Sequence, residues 1–502
     1  MISQDLLPIL DSLGHPRVLV LGDLILDRYT WGNAERVSQE APVILLRADH
    51  REVRLGGAAN VCQMLRGLEA EVTCAGVVGV DADGAEVRQI LREAGVDESA
   101  VLFDKHRPTT VKERFIGRAA NRHPHQILRV DTEERMPLSP ELTHQFAEEI
   151  KERLGDFDIV LISDYDKGVC TPELLQTVIR AASEQSVPVA VDPIRGSDYS
   201  RYRGATLMTP NRYETELATG LAVNSVDDAF TAGEELCRRY DLQHAIVTLD
   251  KDGMVLTSQG IDDTGEQNFQ HAHFPTRPRS VYDITGAGDI VLAMIGLCVA
   301  DGISLPHAVP LANVAGGLEV EHVGVAPVPR QDIRLDLLRN LPDGSVRKVI
   351  TAEDAVRIAE TAREKGNRVV FTNGCFDILH VGHVTYLEEA KAQGDLLILG
   401  LNSDASVSGL KGPTRPVRKQ AERAAVLAAL SYVDYIVIFD EPTPIALIES
   451  IRPEVLVKGG DYRNKQHQIT GKEFVENYGG RLHLAGLVEG VSTTAILKSV
   501  AA

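Results

Sequence analysis

The segment Asp283-Ile-Thr-Gly-Ala-Gly-Asp289 runs straight into the apolar stretch IVLAMIGLCVA. Gly286, Ala287 and Gly288 let backbone N–H groups converge at a helix N-terminus, where the dipole favours an anion. Asp289, at the start of the same helix, can accept the proton of a hydroxyl that attacks a γ-phosphate. The plainer alternative is a glycine-rich N-cap with a dipole-compensating carboxylate. A second segment, Thr372-Asn373-Gly374-Cys-Phe376-Asp377-Ile-Leu-His380-Val-Gly-His383, follows the run RVVF. Two histidines three apart suggest a metal pair, but no third and fourth ligands stand at zinc-like spacing. Gly382 permits close backbone approach, and a helix beginning there sets both imidazoles against a triphosphate. That arrangement suits stabilisation of a displaced pyrophosphate.

Lesser motifs accompany each segment. Asp23 and Asp27 in GDLILDR end the first strand at its carboxyl edge, where open α/β sheets bind ligands; carboxylates there suit sugar hydroxyls. Leu-Gly56-Gly57-Ala-Ala-Asn60 opens another helix. Asn211-x-x-Glu214 follows a strand and reads either as a capping box or as the organiser of a Mg²⁺-water shell around ATP phosphates. Toward the C-terminus stand Lys411-Gly412, Lys458-Gly-Gly-Asp461 and Gly490-Val-Ser492-Thr493-Thr494. Each alone is a turn or an N-cap; together they make an anion-binding mouth on one sheet edge.

The elements that must position these residues are β-branched runs alternating with amphipathic stretches, the pattern of an α/β protein. VLVLGD, DIVLISD, VPVAVDP, ATLMTPN and AIVTLD are continuous rather than alternating, so they read as buried parallel strands. Residues 331–349 are polar, contain Pro342, Asp343 and Gly344 and lack a strand, which places a linker there and a boundary near residue 345. The βαβ pattern then restarts, predicting domains at 1–345 and 350–502. The 502 residues carry 52 Lys plus Arg against 72 Asp plus Glu, a net charge of -20, which argues against nucleic acid as a partner. No apolar run is long enough for a membrane span, and the acidic N-terminus does not look like a signal peptide. Six scattered cysteines without a CxxC pair fit reduced thiols in the cytoplasm.

In the order GD, GGAAN, NxxE and DxTGAGD, residues 10–330 resemble the ribokinase-like sugar kinases, or phosphofructokinase B family. The resemblance implies a ribokinase-like α/β sandwich with a β-lid over about residues 29–43, expected to build a homodimer. It makes Asp289 the catalytic base and Gly286 to Gly288 the anion hole. Asn211 and Glu214 would serve Mg-ATP, Glu214 through water, with Asp283, Thr248, Gly253 and Asn313 bordering the nucleotide. Asp23, Asp27, Gly56, Gly57 and Asn60 would hold the sugar. Ile290 departs from the family's usual small or hydroxylated residue and is expected to pack under the helix.

Residues 350–502 resemble the cytidylyltransferase-like nucleotidyltransferases, whose fold is a smaller Rossmann-like domain. By that resemblance His380, His383 and the Ser492–Thr494 helix grip the triphosphate. Thr372, Asn373, Gly374, Phe376, Asp377, Lys411 and Lys458 belong to the same ATP site. Lys391 and Arg423 are further candidate phosphate neutralisers, or else part of a solvated helix face. Leu487 and Val488 stand where cytidine-using members carry Arg-Thr, which is compatible with ATP. The fusion as a whole resembles the bifunctional heptose kinase–adenylyltransferases of bacterial lipopolysaccharide synthesis. Its implied substrates are ATP, heptose 7-phosphate and heptose 1-phosphate, with a separate bisphosphate phosphatase acting between the steps and no membrane or nucleic acid involved. A substrate that already carries a phosphate calls for a further cation. Lys112, Arg114 and Arg118 are the candidates, Lys112 and Arg114 sharing a strand face, with an exposed charged strand as the alternative. Competing readings are another sugar or polyol kinase fused to a glycerol-phosphate-like cytidylyltransferase, or an inactive sugar-phosphate sensor.

Overall fold

The computed structural model describes residues 3–118, 125–261, 267–277, 286–321, 327–340, 348–364, 366–463 and 465–486. The chain divides into two compact units, Asp5–Arg334 and Leu335–Ala502.

The first unit is built on a nine-stranded sheet. Arg17–Gly22 lies inside it, parallel to Glu71–Gly79 on one side and Ile159–Ser163 on the other. Val189–Asp192, Leu207–Met208 and His244–Thr248 continue the parallel run, and Met254–Ile261 with Gln267–Phe274 close one edge antiparallel. The continuous apolar runs follow from burial on both faces. Val160 and Ile162 join a core with Phe146, Ile150, Leu174 and Val178 from two helices on one side. Leu161 points to the other face, where a Cβ added to Gly296 of helix Ala287–Ala300 would meet its side chain at 2.6 Å. Ile290 is fully buried on that helix, as its expected packing role requires.

A separate four-stranded sheet forms the lid: Ile44–Gly57, Leu24–Val37, Thr110–Arg118 and His125–Thr132, in that order. It reaches well beyond the expected segment 29–43. The two extra strands come from residues about 80 positions further on, and local sequence carries no sign of that pairing. Val37, Ile44, Leu45, Leu128 and Val130 are exposed on this sheet.

The stretch expected to be a linker holds helix Arg330–Arg339, with Ile333 and Leu337 buried. The Arg330 guanidinium donates to the carbonyls of Leu13 at 2.6 Å, Gly14 at 2.8 Å and Leu68 at 2.7 Å, which ties the helix start into the first unit. Its low mean hydropathy hid it, because a helix packed by a narrow stripe needs few apolar residues.

The second unit is a six-stranded parallel sheet in the order Val349–Ile350, Tyr435–Phe439, Leu396–Asn402, Val369–Gly374, Val455–Gly459 and Arg481–Ala485. Chain order reverses between Val369–Gly374 and Val455–Gly459, and ligands of open α/β sheets bind outside the carboxyl ends at such a switch point. No described helix is long and apolar enough to cross a membrane.

Candidate active sites

In the first unit two helix starts meet. Gly57, with φ 59°, caps Ala58–Gly67, and a Cβ there would come within 2.3 Å of the Asp23 carbonyl oxygen, so only glycine fits. This turn delivers Asn60, buried on the first turn, to Asp289. Asn60 Nδ2 donates to Asp289 Oδ2 at 2.6 Å. Asn60 Oδ1 is buried without a hydrogen-bond partner among the described residues, leaving an acceptor that a ligand hydroxyl would satisfy. Gly286, with φ 94°, caps Ala287–Ala300 and supplies no side chain to the first-turn N–H groups of Ala287 and Gly288. Among the described residues no side chain caps them, and Asp289 sits among them.

Asp289 is only 4% exposed. Burial pushes its carboxyl up to about 6, against the donors Asn60 and Tyr165. Asp192, at the end of its strand, is pushed well above the usual carboxylate range by burial, then by the neighbouring charges of Glu214 and Asp289. Asn211 and Glu214 form the capping box: Glu214 N–H donates to Asn211 Oδ1 and Asn211 N–H to Glu214 Oε2, both at 2.9 Å. They also line a cavity of about 340 Å³ with Arg195, Arg212, Tyr213 and Asp250. The two alternatives read from sequence are therefore compatible, since one carboxylate oxygen suffices for the cap. Thr248 bridges to Asn211. Gly253, at φ 91°, turns the adjoining hairpin where a Cβ would meet the Phe274 carbonyl oxygen at 2.0 Å.

Several expected ligands are occupied otherwise. Asp23 is fully buried and accepts backbone N–H groups from Tyr165 at 2.9 Å, Lys167 at 3.1 Å and Val169 at 3.1 Å. It is a clamp for a loop rather than a sugar ligand, a role invisible without the tertiary contact. Asp27 lies against Gly56, where a Cβ would crowd its Oδ2 at 2.5 Å, and is paired with Arg114. Arg114 also stacks on Tyr29 at 5.2 Å. Lys112 shares that lid face, 5.5 Å from the Tyr165 ring centre, and burial lowers its pKa. Arg118 is paired at the exposed lid end with Asp49 at 2.5 Å, away from these groups. Asn313 donates to the carbonyls of Phe274 at 3.2 Å and Pro275 at 3.1 Å, so it props the strand end rather than offering its amide N–H₂ to a ligand. Asp283 lies outside the described residues.

Sequence reading missed Tyr165, whose hydroxyl donates to Asp289 Oδ1 at 2.9 Å. Its signal was present: DIVLISDYD ends a buried strand at the carboxyl edge of the sheet. Among the described residues Asp23, Asp164 and Cys170 place one ligand atom each within 4.8 Å. Asp164, pushed to about 6 by burial and by Asp23, already accepts from Tyr202 at 2.6 Å and pairs with Arg201 at 3.3 Å. With the Asp23 oxygens taken as well, this cluster is internal scaffolding.

In the second unit a cavity of about 660 Å³ opens at the switch point, lined by Asn373, Gly374, Phe376, His380, His383, Lys411 and Lys458 among others. His380 caps helix Val381–Lys391, and the two imidazoles stack at 3.8 Å. The Nδ1 atoms of both are buried without a hydrogen-bond partner among the described residues. Burial, with the nearby His380 and Lys411 charges, pushes His383 down to about 4, so it is neutral at pH 7. The pair therefore offers N–H donors rather than positive charge. Positive charge comes from Lys411 and from Lys458, whose ammonium is bonded to Asn373 Oδ1.

Four expected transferase residues are occupied elsewhere. Thr372 is fully buried, its hydroxyl shared with Tyr386 and the Val457 carbonyl, which ties the strand to the helix beneath the cavity. Asp377 is paired with Arg415 and accepts from Val417 N–H at 2.7 Å, so it holds the 415–418 loop. Arg423, 2% exposed, spends its guanidinium on the carbonyls of Cys375 at 2.6 Å, Asn402 at 2.8 Å and Arg418 at 3.0 Å, and on Asp404 at 3.0 Å. It is neither a phosphate neutraliser nor a solvated residue. Lys391, at the far end of its helix, donates to Asp434 at 2.5 Å and the Asp395 carbonyl at 2.6 Å. Sequence spacing could not separate Lys391 and Arg423 from Lys411, because all three read simply as Lys or Arg near glycine or on a helix. Ser492, Thr493 and Thr494 lie outside the described residues, as do Leu487 and Val488.

Fold and sites together define a carbohydrate kinase joined to a nucleotidyltransferase. Residues 15–331 match the pfkB family of carbohydrate kinases, and residues 371–498 match the cytidylyltransferase-like family. Among solved structures, Arabidopsis thaliana ribokinase complexed with ribose and ATP aligns at TM-score 0.50 and 20% identity, over 64% of this chain and 99% of that one. Escherichia coli phosphofructokinase-2 in complex with substrates and products aligns at 0.51 and 19%, over 65% and 99%. These two share the fold. Over nearly the whole chain the similarity is to proteins named bifunctional protein HldE: 46% identity with that of Geobacter metallireducens, over 96% of this chain and 95% of the relative. The Syntrophotalea carbinolica protein is 43% identical over 98% and 97%. The chain belongs to this bifunctional HldE family.

Proposed function

We propose that the first unit phosphorylates D-glycero-β-D-manno-heptose 7-phosphate at its anomeric hydroxyl, giving the 1,7-bisphosphate. After a separate phosphatase removes the 7-phosphate, the second unit joins AMP from ATP to heptose 1-phosphate and releases pyrophosphate. The product, ADP-heptose, supplies the lipopolysaccharide inner core in the cytoplasm. The observation that carries this reading is the presence, in one chain of the HldE family, of a buried Asp289 at a helix N-terminus that no described side chain caps and a separate cavity lined by His380 and His383.

In the kinase step Asp289 takes the proton of the attacking hydroxyl while the N–H groups of Ala287 and Gly288 face the transferred phosphate. Asn60 Oδ1 accepts from the sugar, and Lys112 and Arg114 on the lid form the cationic side facing the second phosphate. A divalent cation would fit beside Glu214 and Asp192: burial pushes both carboxyls toward the protonated form, the charge of Glu214 adds to this at Asp192, and Mg²⁺ would favour their ionised form. Glu214 and Asn211 would hold it through water, and it would neutralise the ATP phosphates. In the transferase step no protein nucleophile is needed. His380 and His383 donate to the triphosphate, and Lys411 and Lys458 offset the charge that builds on the leaving pyrophosphate. A homodimer assembled through the exposed apolar residues of the lid sheet is part of this reading.

Mass spectrometry after incubation with Mg-ATP and heptose 7-phosphate tests it. The bisphosphate should form alone, and ADP-heptose only when the phosphatase is added. Turnover of CTP in place of ATP in the second step would favour a cytidylyltransferase instead.

A further inference from the structure

The loop after strand Ile159–Ser163 brings into the kinase site a side chain that no motif anticipated. Tyr165 donates to Asp289 Oδ1 at 2.9 Å, and its own backbone N–H is held by Asp23 Oδ2 at 2.9 Å. Asp23 further accepts the N–H groups of Lys167 and Val169, so one buried carboxylate fixes the main chain that carries the phenol. We propose that Tyr165 is a positioning residue of the kinase reaction: its O–H orients the Asp289 carboxylate and keeps it in the proton-accepting form, while Asp23 sets the phenol through the loop backbone. The inference rests on the reading of Asp289 as the general base.

A carboxylate offers acceptor positions on both oxygens. Asn60 takes one on Oδ2 and Tyr165 one on Oδ1. Two donors on different oxygens fix the plane of the group, so the remaining lone pairs point in a set direction, as a base in a positioned reaction needs. Burial favours the protonated acid and both donors oppose it. A phenol suits this task because it is neutral, rigid to its single O–H, and kept from ionising by its own burial and by Asp289. Among the described residues, the other titratable groups facing Asp289 are Asp27 and Lys112 from lid strands and Asp192 from strand Val189–Asp192. Asp27 disfavours the carboxylate and Lys112 favours it; removing the phenol oxygen leaves all three in place.

Tyr165→Phe keeps the ring under Lys112 and removes only the donor. The acid limb of the kinase kcat/KM profile should move up by roughly one pH unit, a tenfold loss below the limb, with a smaller loss above it and an unchanged adenylyltransferase rate. Replacing Tyr165 with 3-fluorotyrosine, a stronger donor of the same shape, should move the limb down. A limb that stays put in both variants, with any loss equal at every pH, would make Tyr165 a packing residue and overturn the proposal. If Tyr165→Phe does not fold, the fluorotyrosine protein alone decides by the same criterion. Asp289→Asn separates the two claims: retained phosphorylation there defeats the general-base reading itself, whatever the limb does.

Discussion

Asn60 Nδ2 and Asp289 Oδ2 meet at 2.6 Å although 229 positions separate them along the chain. Each stands on the first turn of its own helix, and each helix begins at a glycine with positive φ, Gly57 and Gly286. The contact joins two glycine-rich helix starts into one site, with Asn60 holding one oxygen of Asp289.

Loss of the base should be selective. Asp289→Asn keeps the shape and removes the proton acceptor, and the kinase kcat should fall by about 10²- to 10⁴-fold, the usual worth of a positioned general base. The adenylyltransferase rate should be unchanged. Separate assays of bisphosphate and pyrophosphate check this, and a parallel loss of both activities would contradict two independent sites.

The same substitution should stabilise the kinase unit at neutral pH. Folded Asp289 holds its proton up to about pH 6. An unfolded aspartate releases its proton near pH 3.9. Between those values the folded state binds more protons, so its stability falls as pH rises, and above them the buried charge is a standing cost. Asp289→Asn removes that cost and should raise stability by about 1–2 kcal/mol at pH 7.5, with the gain shrinking toward pH 4.5. Urea unfolding at the two pH values measures it; an equal or lower midpoint at pH 7.5 counts against the buried-charge argument.

In the second unit His383→Ala should abolish pyrophosphate release and leave heptose phosphorylation intact. Lys411→Ala should raise the KM for ATP about tenfold, the worth of one charge-assisted contact to phosphate, with no change in melting temperature. Steady-state kinetics with ATP varied, read beside a thermal melt, distinguishes this from a folding defect.

Arg423 should behave oppositely to Lys411. Its guanidinium satisfies three backbone carbonyls and Asp404 while almost wholly buried. Arg423→Ala leaves those acceptors unpaired and should destabilise the second unit by about 3 kcal/mol. A melt that is unchanged, with only the KM for ATP raised, would restore Arg423 as a phosphate ligand.

The local chemistry of this protein was legible in its sequence wherever chemistry is set by neighbours along the chain. Continuous apolar runs announced strands buried on both faces, and Gly286-Ala-Gly288-Asp289 and His380-Val-Gly-His383 announced two helix starts. Backbone convergence and helix dipoles depend on a few adjacent residues, so spacing alone reveals them. What tertiary structure decided was the partner of each charged side chain. Asp23 and Asp27 sit four apart with the same chemistry, yet the fold turns Asp23 inward onto three backbone N–H groups and Asp27 toward Arg114 of a distant lid strand. Lys391, Arg423 and Lys411 are alike as sequence, but only Lys411 of the three lines the transferase cavity. A buried ion must find its counter-group across the fold or be neutralised, and such pairings leave no periodic trace. Tyr165 is a further case: its segment marks a strand end at the sheet's carboxyl edge, but only the fold shows that its hydroxyl reaches Asp289 while Asp23, from the turn after the first strand, holds its backbone N–H.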